Sequence, residues 1–199
     1  RLFRRQRQMC IRDRIYSTGG TFDYIKQLGI KIKKVEDLTS YPSILNGRVK
    51  TLHPKVFGGI LKTNSKSDLD ESKKYEIPDI DLVVVDLYPF ENTVKNSNNH
   101  EDIIEKIDIG GVSLIRAAAK NYENVVCISS KDQYDELISI LNNGCKTDIE
   151  YRKKLAYAAF QKSSDYDYKI SSYLGNENIN SNFDKDTIKE LRYGENPHQ

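Results

Sequence analysis

One segment constrains the fold of this chain more than any other. Asp81 to Phe90 is its longest apolar run, rich in β-branched residues and broken only by Asp86. At about half the roughly 18 residues a membrane span needs, it reads as a buried strand, with Leu82 to Leu87 as its clearest part and Pro89 as its stop. The rest of the 199 residues supplies further strands and helices around it. Ile15-Tyr16 reads as a strand end, followed by a Ser17-Thr18-Gly19-Gly20-Thr21 turn. A helix follows with Phe22, Ile25 and Leu28 at helical spacing and Gly29 as its stop. Ile30 to Val35 alternates as a strand would. Val56 to Leu61 reads as a weaker strand because Gly58-Gly59 interrupts it. Val125 to Ile128 reads as another short strand.

Helices are expected near Asp68–Tyr75, Glu101–Lys106 and from Gly110 to Ala119. Ser130-Lys131-Asp132-Gln133 has capping-box spacing ahead of a helix carrying Tyr134, Leu137, Ile138 and Leu141 on one stripe, with Gly144 after it. Tyr151 to Leu174 is helical, with Leu155, Ala158 and Ala159 on one face. The alternation predicts an α/β fold with a doubly wound, mostly parallel sheet followed by a short helical segment. The polar stretch from Asn176 to Asp184 reads as a linker, and Leu191 to Gln199 as the beginning of something new.

Charge is unevenly placed. Six arginines and one aspartate within residues 1–16 give +5 against +2 for the whole chain, so the remainder carries −3. Arg1 to Arg14 reads as a non-native or unrelated segment, resembling translated adapter or vector sequence; a transit peptide or a nucleic-acid or membrane-binding tail are the other readings. The body of the chain offers no electrostatic case for nucleic acid. Cys10, Cys127 and Cys145 are odd in number and lack metal-ligand spacing, which fits a reducing compartment.

Four segments can carry chemistry. The Ser17–Thr21 turn offers hydroxyls, glycines and a helix N-terminus to an anion, though it is also an ordinary strand-to-helix turn. Asn46-Gly47-Arg48-Val49-Lys50-Thr51-Leu52-His53-Pro54 places two cations and a hydroxyl in one loop. Arg48 can take a phosphate bidentately and Lys50 can donate to a developing oxyanion; solvated surface is the plainer reading. Val85-Asp86-Leu87-Tyr88 delivers Asp86 and Tyr88 to one face at a strand's carboxyl end, where open α/β sheets bind ligands. Asp108-Ile109-Gly110-Gly111 is a helix cap or a proton acceptor, and Lys120 closes that helix.

In this order and spacing, the strings Gly47 to Pro54, Leu87 to Phe90 and Ile107 to Asn121 closely resemble the bifunctional AICAR transformylase/IMP cyclohydrolase family. The similarity runs from about Tyr16 to the end. Tyr193-Gly194-Glu195-Asn196-Pro197-His198-Gln199 looks like the entrance to that family's formyl transferase domain. The resemblance implies a methylglyoxal-synthase-like fold, with residues 15–146 as the cyclohydrolase domain, 147–175 as a helical extension and 176–199 as linker and start of the transferase domain. It implies dehydrative ring closure of formyl-AICAR to inosine monophosphate without cofactor or metal, with 10-formyltetrahydrofolate serving only the transferase. By the matching motifs, the nucleotide site falls on Ser17, Thr18, Gly19, Gly20, Arg48, Val49, Lys50, Thr51, Val85, Asp86, Asp108, Ile109 and Gly110. The chemistry falls on Lys50, Tyr88, Asp108 and Lys120. Arg192 and Tyr193 resemble AICAR contacts of the second domain.

The resemblance further implies a cytoplasmic homodimer acting on a small nucleotide, with no nucleic acid or membrane partner. The family's first strand and helix are expected before Ile15, and an Asn is usual where Asp86 stands. If Asp108 and Lys120 bracket one straight helix, they lie about 15 Å apart. The competing expectation is a non-catalytic nucleotide- or phosphate-binding regulatory domain of the same fold, which would not need the Arg48–Pro54 loop together with Asp108 to Lys120.

Overall fold

The computed structural model describes residues 14–175. The sequence-expected linker, the Tyr193–Gln199 string, Arg192 and the segment before Arg14, Cys10 included, lie outside them.

Strands and helices alternate, and each strand pair is parallel. Strand β1 (Tyr16–Ser17) leads through helix α1 (Gly19–Gln27) to β2 (Lys33–Lys34), which pairs with it in register Tyr16 to Lys33. β2 is shorter than the Ile30–Val35 alternation suggests. The Asp37 carboxylate accepts from the Lys34 amide at 3.1 Å, and helix α2 (Val35–Thr39) begins there. Helices α3 (Pro54–Leu61) and α4 (Lys66–Lys74) then lead to β3 (Leu82–Val84).

The expected strand at Val56–Leu61 is therefore a helix. His53 Nδ1 accepts from the Lys55 amide at 3.1 Å and Pro54 opens the first turn, both of which favour a helix start. Gly58 and Gly59 let it lie against Ile77 and Ile80: a Cβ on Gly59 would come within 2.9 Å of both Ile80 Cδ1 and the Pro78 carbonyl oxygen.

After β3 come α5 (Phe90–Asn96), which the sequence reading did not anticipate, α6 (His100–Glu105) and α7 (Gly110–Lys120). Strand β4 (Val126–Ile128) pairs parallel with β3, Val83 opposite Cys127. Among the described residues the sheet is thus two separate parallel pairs. β3 is not the buried strand the sequence suggests: Val83 is buried, but Leu82 and Val84 on the other face are exposed, and its ladder ends early. The Val85 amide still donates to the Ile128 carbonyl at 2.9 Å. The partner strand then turns away, because the Ser129 and Ser130 amides both donate to Gln133 Oε1 in the expected capping box. Helices α8 (Tyr134–Asn142) and α9 (Ile149–Leu174) complete the chain.

Helix α7 is the centre of the core. Ile115, Ala118 and Ala119 are fully buried, and Val56, Ile60, Val83, Cys127, Ala156 and Ala159 surround the same cluster. The alanines on α7 and α9 have short side chains, so the two helices pack directly together. The C-terminal helical segment is accordingly part of the core. Arg152 on α9 also ties down the turn into β4, donating to the Tyr122 and Glu123 carbonyls at 2.8 and 3.0 Å. A second cluster of Phe90, Ile103 and Tyr166 joins α5, α6 and α9 directly behind the Asp108 turn.

Candidate active site

The basic loop has a defined shape. Ile44 and Val49 form an antiparallel bridge around a 3-10 turn, Leu45–Gly47. Gly47 has φ +82°, and a Cβ there would lie 2.9 Å from Lys50 Cε. A side chain at Gly47 would be strained and would also displace Lys50. Lys50 points to the first turn motif: its Nζ would be 3.8 Å from a Cβ placed on Gly19. Thr51 points to the second, since its Oγ1 would lie only 2.9 Å from a Cβ on Gly110. The loop thus spans from Gly19 at the N-terminus of α1, in the turn with Ser17, Thr18 and Gly20, to Gly110 at the N-terminus of α7, next to Asp108 and Ile109.

Arg48 reaches α6. Its Nε donates to Glu105 Oε1 and Oε2 at 3.1 and 3.2 Å, with a further Nη2–Oε2 contact at 3.1 Å. The Glu105 hydrogen bonds push the guanidinium pKa upward. This fork-on-carboxylate arrangement is one that a phosphate also accepts, and an exposed pair of this kind is readily exchanged. One residue further on, Lys106 Nζ sits 5.6 Å from the centre of the exposed Tyr88 ring. Residues 105 to 108 therefore collect Arg48 from the loop and Tyr88 from the strand end.

Asp108 is held on both sides. Its Oδ1 accepts from the Gly111 amide at 2.6 Å, placing a carboxylate at the positive end of α7. Its own amide donates to the Tyr166 hydroxyl at 2.8 Å. Asp86, exposed at the end of β3, accepts from the Tyr134 hydroxyl at 2.6 Å, and that bond, with burial and the charge itself, pushes the phenol pKa up to about 12. Val85 stays in the ladder beside it.

Lys120 is not brought to this group. Helix α7 is continuous from Gly110 to Lys120, about 15 Å at 1.5 Å per residue. Next to Lys120, Asn121 Nδ2 donates to the Ile60 and Lys62 carbonyls at the end of α3. The shallow cavity of about 400 Å³ lined by Pro54, Lys55, Tyr75 and Ile77 includes none of the expected site residues. Sequence reading missed four residues that touch the site: Glu105, Lys106, Tyr134 and Tyr166. Only the first two had a signal, as an adjacent charge pair just ahead of Asp108.

A fold of parallel strand–helix–strand units, with a Ser/Thr/Gly turn and a basic loop meeting at helix N-termini, defines a small α/β domain. The description "MGS-like domain" matches residues 8–113, and the chain belongs to that family. The description "AICARFT/IMPCHase bienzyme" matches residues 118–199.

The chain is similar to the bifunctional purine biosynthesis protein PurH of Bacteroides thetaiotaomicron, at 54% identity over 186 residues, covering 92% of this chain and 37% of that protein. PurH of Clostridioides difficile is 47% identical over 193 residues, with 93% and 37% covered. The chain thus spans little more than a third of the length of these curated relatives. A crystal structure of ForH superposes with a TM-score of 0.69 at 34% identity, covering 81% of this chain and 84% of that one.

Proposed function

We propose that residues 15–146 form an IMP cyclohydrolase domain that closes formyl-AICAR to inosine monophosphate with loss of water, in purine biosynthesis. Residues 147–175 are its helical extension, and 176–199 are a linker and the start of an AICAR transformylase domain to which Arg192 and Tyr193 belong. The similarity to PurH proteins supports this reading. The observation that carries it is the convergence of the basic loop on two helix N-termini, with Lys50 against Gly19 and Thr51 against Gly110.

Ring closure joins the carboxamide nitrogen to the formyl carbon and expels the formyl oxygen as water. The amide is a poor nucleophile, so holding its nitrogen near the carbonyl carbon supplies much of the acceleration. Ser17 to Gly20 and Arg48 hold the phosphate; Val49, Thr51, Val85, Asp86, Ile109 and Gly110 line the nucleotide. Lys50, with Tyr88, donates to the oxygen on which charge develops. Asp108 orients or deprotonates the amide with the carboxylate oxygen that Gly111 leaves open. Lys120 is a proton-transfer residue by resemblance alone, standing at the far end of α7. The step uses no cofactor; 10-formyltetrahydrofolate is the co-substrate of the transferase. The whole protein is a cytoplasmic homodimer whose cyclohydrolase ligands are the nucleotides formyl-AICAR and inosine monophosphate, without nucleic-acid or membrane partners. Among the described residues no helix is long and apolar enough to cross a membrane.

The test is direct. Formyl-AICAR is given to the folded protein, as this chain and extended to the length of its relatives, and inosinate formation is followed by absorbance. A well-folded extended protein without turnover overturns the reading.

A further inference from the structure

We propose that Tyr166, on the C-terminal helix α9, is a positioning residue that sets Asp108 in the site. The inference rests on the cyclohydrolase reading above and adds a residue 58 positions away in sequence from the group it acts on.

Three contacts carry it. The Tyr166 hydroxyl accepts the Asp108 amide proton at 2.8 Å and donates to the Lys106 carbonyl at 3.4 Å, so one oxygen bridges both ends of the Lys106–Asp108 turn. The ring meets Phe90 edge-on, centroids 6.3 Å apart. Phe90 is two residues past Tyr88, and Lys106 is the residue whose ammonium lies over the Tyr88 ring. Tyr166 therefore touches both segments that supply Tyr88 and Asp108. The residue is 6% exposed, so the phenol cannot exchange these partners freely for water. Burial raises its pKa, which keeps the hydroxyl proton in place for Lys106.

The carboxylate side of Asp108 is fixed by the Gly111 amide. That bond alone allows the residue to pivot about the helix end. Fixing the main-chain amide from α9 removes the pivot, because the Asp108 backbone is then held as well as its Oδ1. The helical extension thereby contributes to catalysis through one hydroxyl, beyond its share of the core.

Tyr166→Phe keeps the ring against Phe90 and removes only the oxygen. The test measures formyl-AICAR cyclisation by Tyr166→Phe, Asp108→Asn and the double variant in the protein extended to its relatives' length, with amide exchange of residues 107–111 alongside. A net hydrogen bond of ordinary strength predicts roughly a three- to tenfold fall in kcat with KM little changed, and exchange at Asp108 faster by a similar factor. On the Asp108→Asn background the same change should cost almost nothing further.

A wild-type kcat in Tyr166→Phe, a loss confined to KM, or an equal loss on both backgrounds overturns the inference. Absence of turnover in the unmutated protein instead removes the cyclohydrolase reading. Exchange then decides the placement of Asp108 by itself: faster exchange confined to 107–111 supports it, and unchanged exchange overturns it.

Discussion

Asp108 caps a helix and is proposed to act in catalysis, and a pair of substitutions separates the two roles. Its Oδ1 caps α7 through the Gly111 amide at 2.6 Å, and its charge sits at the helix's positive end. Asp108→Ala removes both. Losing a side-chain cap costs about 1 kcal/mol, up to about 2 where the helix is well packed, and α7 carries the fully buried Ile115, Ala118 and Ala119. Asp108→Asn keeps an oxygen for the Gly111 amide and loses only the charge–dipole attraction, about 0.3–1 kcal/mol. Urea denaturation should therefore show the alanine variant clearly less stable than the asparagine variant, with m unchanged in both. Turnover should not follow that order. If the carboxylate orients or deprotonates the amide, both variants lose roughly 10²–10⁴ in kcat. An Asp108→Asn protein that closes the ring at nearly the wild-type rate refutes the catalytic assignment and leaves Asp108 a cap. Equal destabilisation by Asn and Ala refutes the capping argument.

Three other outcomes follow from the same geometry. Lys50→Ala should lower cyclisation by about 10²-fold or more if the ammonium stabilises the oxyanion, while melting is little affected; a wild-type rate removes Lys50 from the mechanism. Asn121 is buried and donates to the Ile60 and Lys62 carbonyls at 2.7 and 2.9 Å, so Asn121→Ala should cost about 2–4 kcal/mol in urea, and a loss below about 0.5 kcal/mol would contradict that account. Hydrogen bonds from Lys95 and Lys169, then the Lys169 charge, hold the Glu91 carboxyl down at about 2 against an ordinary 4.5. That stability is present above about pH 4.5 and is lost as pH falls toward 2. The full shift would represent about 3 kcal/mol, and solvent screening of this partly exposed group leaves about 1. Melting temperatures of Glu91→Gln and wild type should converge between those pH values; a constant gap speaks against the pairing.

What could be read from the sequence was local, and what could not was non-local. The capping box at Ser130–Gln133, the stop at Gly29 and the helix over Tyr151 to Leu174 all depend on residues a few positions apart. The Val56–Leu61 misreading shows the limit. A Gly-Gly pair weakens a strand and a helix alike in isolation. Its purpose, close approach to Ile77 and Ile80, belongs to a segment some twenty residues on. β3 is cut short by the same kind of remote cause, since Gln133 pulls the partner strand away.

The site divides in the same way. Residue type and order single out Lys50, Thr51 and Asp108, and the structure draws the loop across to both helix ends without help from any pattern in between. The residues that set their geometry come from elsewhere: Glu105 on Arg48, Lys106 on Tyr88, Tyr134 on Asp86, Tyr166 on Asp108. Each is an ordinary residue type within a helix or, for Lys106, just past the end of one. Periodicity reports which face of a helix is covered and is silent on which turn of another segment covers it. The groups proposed to react are singled out by their chemistry, whereas the groups that contact them become visible only when α6, α8 and α9 are packed around the strand end.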